Sequence, residues 1–173
     1  MVRVMLRIVL TLAVVFFVGC ETVPTRAVKL EKAEALPLAL DDAYQFRKKK
    51  LAFLSDAPLE RTADATINFE RARMVHGATE VYELRERYGN YFTFFWRTRT
   101  GSDVTFRLEY RQAGLGNYVL AQERYYPAAN GSFTSEFEVT GDDYLEFGRV
   151  TAWRALLIVE GRIVALQQSQ TWR

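Results

Sequence analysis

Between residues 104 and 111 the chain alternates without a fault. Val104, Phe106, Leu108 and Tyr110 take every second position, and Thr105, Arg107, Glu109 and Arg111 fill the gaps. Side chains on a strand point to opposite faces in turn, so this stretch is a strand with one buried and one polar face. A chain holding such a strand must supply partners for both its edges and a layer to cover its apolar face.

Similar runs follow at intervals of about ten residues. From Thr66 the apolar period becomes two, with Ile67, Phe69, Arg71 and Arg73 alternating with small or polar residues up to a turn at His76-Gly77. Residues 79–87 read as a second extended stretch. Residues 91–99 carry Phe92, Phe94 and Trp96 on one face. Thr100-Gly101-Ser102-Asp103 reads as a turn, and Gly114 and Gly116 break the strand after 111. Residues 117–126 continue as strand. Pro127 and Asn130-Gly131 mark a further turn, Asn-Gly being a strong hairpin signal. Phe133, Phe137 and Val139 then alternate with Thr134, Glu136 and Glu138, and Gly141-Asp142-Asp143 turns again. Residues 150–159 are apolar apart from Thr151 and Arg154, as expected of a central strand, and Glu160-Gly161 leads into a closing hairpin over 163–172.

The predicted fold is therefore mainly β, an antiparallel β-sandwich over residues 66–173. In Gly148-Arg-Val-Thr-Ala-Trp-Arg-Ala-Leu-Leu and Glu160-Gly-Arg-Ile-Val-Ala-Leu-Gln-Gln-Ser-Gln-Thr-Trp172 the pattern resembles bacterial immunoglobulin-like or fibronectin-III-like domains. The resemblance implies a core tryptophan, Trp96 or Trp153, and a final two-strand hairpin. It is architectural and implies no activity. Ahead of the sandwich, residues 20–65 read as a tether, with Pro24 and Pro37 among charged and small residues. A helix is predicted near 41–54, since Asp41 and Asp42 stand at its start, bases stand further on, and Pro58 follows.

The first nineteen residues have another character. Arg3 and Arg7 form a charged start, and residues 8–18 an uncharged apolar run. As a helix that run spans about 16 Å, against about 30 Å of bilayer hydrocarbon, so it suits a cleaved signal better than a permanent span. It ends Phe17-Val18-Gly19-Cys20, which resembles the lipobox of bacterial lipoproteins, Phe17 departing from the usual leucine. The resemblance implies cleavage before Cys20, a diacylglyceryl group on its thiol, and a place in the cell envelope. Glu21 in place of an aspartate favours the outer membrane in a cell that has one. Cys20 is the only cysteine, so no internal disulfide can form, and lipidation gives an exported thiol its purpose.

The whole chain has 23 basic and 21 acidic residues; without Arg3 and Arg7 each count is 21. A neutral mature protein lacks the basic surplus of a nucleic-acid binder. The only concentrated charge run is Arg47-Lys48-Lys49-Lys50, a candidate contact with anionic head groups near the anchor. Tyr118, Tyr125, Tyr126, Tyr144 and Trp172 are candidates for an exposed aromatic face that would stack on sugars or a protein partner. His76, the sole histidine, has no nucleophile or orienting acid in a recognisable motif. Asp142-Asp143 reads as turn chemistry, since calcium wants six to eight oxygens. The expectation is a non-enzymatic interaction or structural lipoprotein with no cofactor, its partners the membrane and an envelope protein or polysaccharide. The alternative is a carbohydrate-binding lipoprotein.

Overall fold

A computed structural model describes residues 27–30, 32–55 and 63–173. The expected signal peptide over 1–19 and the expected lipid site at Cys20 lie outside the described residues. In chain order the elements are β1 (Val28–Leu30), β2 (Tyr44–Leu54), helix α1 (Ala65–Val75), helix α2 (Val81–Arg85), β3 (Gly89–Gln112), a 3-10 turn (Ala113–Leu115), β4 (Leu120–Thr140), helix α3 (Asp142–Phe147), β5 (Val150–Val159) and β6 (Arg162–Gln168).

The described strands form one antiparallel sheet of six, ordered β1-β4-β3-β5-β6, with β2 also on β3. A sandwich of two separate sheets is not what they build. The reason lies in the two turns predicted at 100–103 and 127–131. These interruptions face each other: Thr98 pairs with Gly131 and Ser102 with Ala129, with register shifts on either side. Both strands run on through them, so the segments expected as four strands are one long β3–β4 ribbon. The irregularity bends that ribbon. Phe94 and Phe106 are twelve residues apart, about 40 Å along a straight strand, yet their ring centroids are 5.4 Å apart. Bulges raise local twist and turn a strand, and Gly131 at φ +101° supplies a backbone shape that other residues avoid.

The bend gives the ribbon two limbs. β4 lines one edge of β3 throughout. The other edge is shared: β2 takes Gly89–Thr98 and β5 takes Thr105–Gln112. Residues 37–41 cover part of the outer edge of β6, where Ile163 N–H donates to Pro37 O and Ala39 N–H to Ile163 O, both at 2.9 Å. Those residues lead directly into β2, so hydrogen bonding passes from β3 through β5, β6 and this segment back to β3.

The core lies between the limbs. Phe92, Phe94 and Trp96 of one face Phe106, Leu108 and Tyr110 of the other, joined by Phe137, Trp153 and Leu157. Trp96 and Trp153 are both core tryptophans. Trp96 Nε1–H donates to Ser135 Oγ at 2.8 Å, which satisfies the indole where water is excluded. Close approach at the ribbon's end requires Gly89, where a Cβ would stand 2.1 Å from Val139 O.

The back of the second limb is covered by chain on either side. Leu36 packs on Leu156, Ile158 and Ile163. Arg107 donates from Nε to Glu123 at 2.6 Å and from Nη1 to Glu34 O at 2.8 Å. Beside it Glu109 accepts from Arg154 Nε, and Trp172 lies between Arg111 and Arg154, 4.6 and 4.8 Å from the two guanidinium carbons.

Three expectations exchange secondary structure. Residues 44–54 are strand, so the tether expected over 20–65 is in part built into the sheet, and the helix expected near 41–54 is absent. The exposed edge of β3 takes this segment, and pairing outweighs a weak helical pattern. Residues 65–75, expected as strand, are helical because Asp64 caps them, accepting from Thr66 N–H at 2.8 Å and Ile67 N–H at 3.3 Å. Residues 81–85 are likewise helical. There Glu83 reaches back to the N–H groups of Thr79 and Glu80, at 2.6 and 3.2 Å, and these bonds hold its carboxyl below the usual range. Asp142 and Asp143 sit in the first turn of α3, and Asp143 pairs with Lys29 at 2.6 Å. Among the described residues, no helix is long and apolar enough to cross a membrane.

Candidate functional site

The first limb has an outer face as well as a core face. Alternation sends Tyr91, Thr93, Phe95 and Arg97 of β3 outward. Their cross-strand partners on β2 are Ala52, Lys50, Lys48 and Gln45, and on β4 Glu138, Glu136, Thr134 and Ser132. The face therefore runs from an acidic end at Glu136 and Glu138 to a basic end at Arg97.

Helix α1 lies over the acidic end and encloses a groove of about 780 Å³. Leu51, Phe53, Ile67 and Met74 supply apolar lining; Lys50, Arg71, Arg87 and the two glutamates supply charge. No residue of α1 is buried. Polar ties hold the helix: Glu70 stands 3.9 Å from Lys50, and Arg87 Nη1 donates to Met74 O at 3.0 Å and to His76 O. Tyr91 donates to Arg87 O at 2.5 Å. Burial, then the nearby Glu138 carboxylate, push its phenol up to about 12. His76 is the exposed C-cap of α1, so its ring lies at the surface and its carbonyl does the bonding.

A smaller hollow of about 250 Å³ lies where β2 and β5 part, lined by Phe53, Arg149, Trp153 and Ser169. Cations lie against its rings: Lys49 Nζ is 4.9 Å from the Trp153 centroid, and the Arg149 guanidinium 4.7 Å from that of Phe53.

The five aromatics proposed as one binding face do not share a face. Tyr125 and Tyr126 are neighbours on a strand and point oppositely. Tyr126 is buried against Trp96, with centroids 5.1 Å apart. Tyr125 is 44% exposed and donates to Asp103 at 2.6 Å. Tyr118 is 55% exposed in the loop after the 3-10 turn. Tyr144 packs edge-on against Phe53 at 5.8 Å, and Trp172 is held between two arginines.

The basic run is exposed in full, but the strand divides it. Lys48 and Lys50 pair in register with Phe95 and Thr93 on the outer face, Lys49 faces inward with Phe94, and Arg47 stands in the bulge between Phe46 and Lys48. The strand also adds two residues that the sequence reading missed, Arg97 and Arg99. Arg97 Nη2 donates to Gln45 Oε1 at 2.8 Å. The charge of Arg47, then desolvation and the charge of Arg99, lower its pKa. The only sequence signal was alternation through 91–99, which puts Arg97 and Arg99 on the face opposite Trp96.

Among the described residues no group of three or more His, Cys, Asp or Glu is arranged to hold a metal ion. Comparison with family models, with curated proteins and with solved structures finds no match.

Proposed function

We propose that this chain is a lipoprotein of the bacterial cell envelope, held on a membrane through Cys20, whose β-module is a non-enzymatic interaction module. The module is immunoglobulin-like in its two facing layers, not in its strand order. The observation that carries the reading is the groove beneath α1. An isolated helix of eleven residues is marginal in water, and this one buries no residue, so it is held by polar ties above a partly apolar space. A partner that fills the groove gives Ile67 and Met74 the packing they lack, and the charged rim fixes its register.

A photo-crosslinking amino acid at Ile67 should form an adduct in envelope preparations that the same group at exposed Asn117 does not. Equal labelling at both positions would remove the groove from the proposal. Cys20→Ala should abolish lipid labelling and release the protein from membranes; a variant that stays bound without lipid refutes the anchor. A glycan partner is the second reading, favoured by the exposure of Tyr118 and Tyr125. It requires retention on peptidoglycan or polysaccharide that Tyr118→Ala and Tyr125→Ala remove.

A further inference from the structure

We propose that the outer face of β2 and β3 beside the bend rests on anionic phospholipid head groups, with Arg47, Lys48, Arg97 and Arg99 as its contacts. This rests on the lipoprotein reading, and it fixes which side of the module faces the bilayer.

Three adjacent strand segments make the face: residues 44–50, 93–99 and 129–135. Together they hold six cations, and the first acid on the same face is Glu136, opposite Thr93 at the Lys50 end; the rest of the mature chain carries an acidic surplus. Lys50 is tied to Glu70, and Lys49 turns inward to Trp153. Arg47, Lys48, Arg97 and Arg99 remain on the open side, with no ion pair among the described residues. Two of the acids at the rim accept hydrogen bonds from the module itself. Asp41 accepts from Ala43 N–H at 2.8 Å, and Asp103 from Tyr125 and Ala128. Like charges held together cost free energy unless an anion joins them.

The course of the chain supplies the second argument. β1 runs antiparallel to β4, with Leu30 opposite Ala121 and Val28 opposite Glu123. The N-terminal end of β1 therefore points toward the side of Tyr125 and the bend. Val28 follows Cys20 by eight positions, which span at most about 28 Å. A lipid on Cys20 would thus lie within about 28 Å of that end of β1. Each cation close to an anionic surface strengthens partition about fivefold, and salt screens the effect.

The test uses the lipidated protein in vesicles of phosphatidylcholine alone and of phosphatidylcholine with phosphatidylglycerol. With Cys20 acylated, a cysteine introduced at Ser132 on the basic face, or at Asn117 at the far end, is the single labelling site. Nitroxide-bearing head groups should quench the label at 132 more than at 117 in anionic vesicles. Raised salt, neutral lipid or the combined changes R47E, K48E, R97E and R99E should abolish that preference. Equal quenching at both sites, or a preference that persists in neutral lipid, overturns the proposal; the salt series on the parent decides it even where the charge-reversed variant fails to fold. If mass spectrometry finds no lipid on Cys20, the anchoring reading fails, and sedimentation of the same protein with vesicles decides the face by itself. More than a hundredfold loss of anionic-vesicle binding on charge reversal supports it. Absence of binding, or capture by a soluble anionic polysaccharide without binding to vesicles, overturns it.

Discussion

Replacing Arg154 with Met strands a buried carboxylate. The side chain of Glu109 is 2% exposed and accepts from Arg154 Nε. Its other cation, Arg107, is 3.7 Å away and already engaged by Glu123 at 2.6 Å. Losing Arg154 therefore leaves one oxygen of a desolvated anion without a donor, and breaking a buried pair in this way costs about 3 kcal/mol. The reverse change is not symmetrical. With Glu109→Leu, Arg107 keeps Glu123 and the Glu34 carbonyl, while Arg154, 36% exposed, keeps water and the face of Trp172. No charge is stranded, and the cost is about 1 kcal/mol. The double variant should then be more stable than Arg154→Met alone. Urea denaturation followed by circular dichroism measures this; tryptophan fluorescence would report the lost Arg154–Trp172 stacking as well. With m of about 2 kcal/mol per molar, Arg154→Met lowers the midpoint by about 1.5 M, and Glu109→Leu restores about two thirds of the loss. A double variant no more stable than Arg154→Met, or singles of equal cost, would refute this account of the pair.

Gly89→Ala places a methyl against Val139 O at a φ of +147°, and should destabilise the fold by about 4 kcal/mol, read as loss of soluble protein or a collapsed denaturation midpoint. The phenol of Tyr91 is neutral in both folded and unfolded chain below pH 10. Between pH 10 and about 12 only the unfolded chain ionises it, so stability falls across that window, and Tyr91→Phe should flatten the fall in alkaline denaturation curves. Asp64→Ala removes the cap of α1 at a cost of about 1 kcal/mol. Hydrogen exchange should speed up in 65–75 and stay unchanged in β3, because α1 buries nothing whose loss would be felt in the core.

The strands that are legible in sequence are those with a strong alternation and a buried face. Val104 to Arg111, Phe92 to Trp96 and the run over 150–159 lie where their patterns place them. Local punctuation points the other way. Thr100-Gly101-Ser102-Asp103 and Asn130-Gly131 have the composition of hairpin turns, and each taken alone reverses the chain. Set opposite one another in register, they bend a ribbon instead, a fact about pairing that no local window contains. The exchange of helix and strand at 44–54 and 65–75 has a related cause. Lys48 and Lys50 in alternation suit an edge strand, where lysines discourage stray pairing; the flanking acids suggested a dipole. Ile67, Phe69, Arg71 and Arg73 alternate, but no free sheet edge takes them, and the Asp64 cap decides. The basic face was half legible, because the run on β2 is contiguous while Arg97 and Arg99 are scattered and joined to it only by strand pairing. The groove was not legible, since it depends on where α1 comes to rest.

The long β3–β4 ribbon also sets an order of assembly. Its innermost pair, Tyr110 with Leu120, is ten residues apart in the chain, and its outermost, Gly89 with Thr140, is fifty-one. Loop-closure cost rises with the logarithm of length, so the ribbon zips outward from the 3-10 turn, through the bend, to the limb that carries the groove. Changes near residues 113–119 should slow folding, whereas changes near Gly89 and Thr140 should mainly speed unfolding. The limb that carries the groove is then the last to close and the first to open.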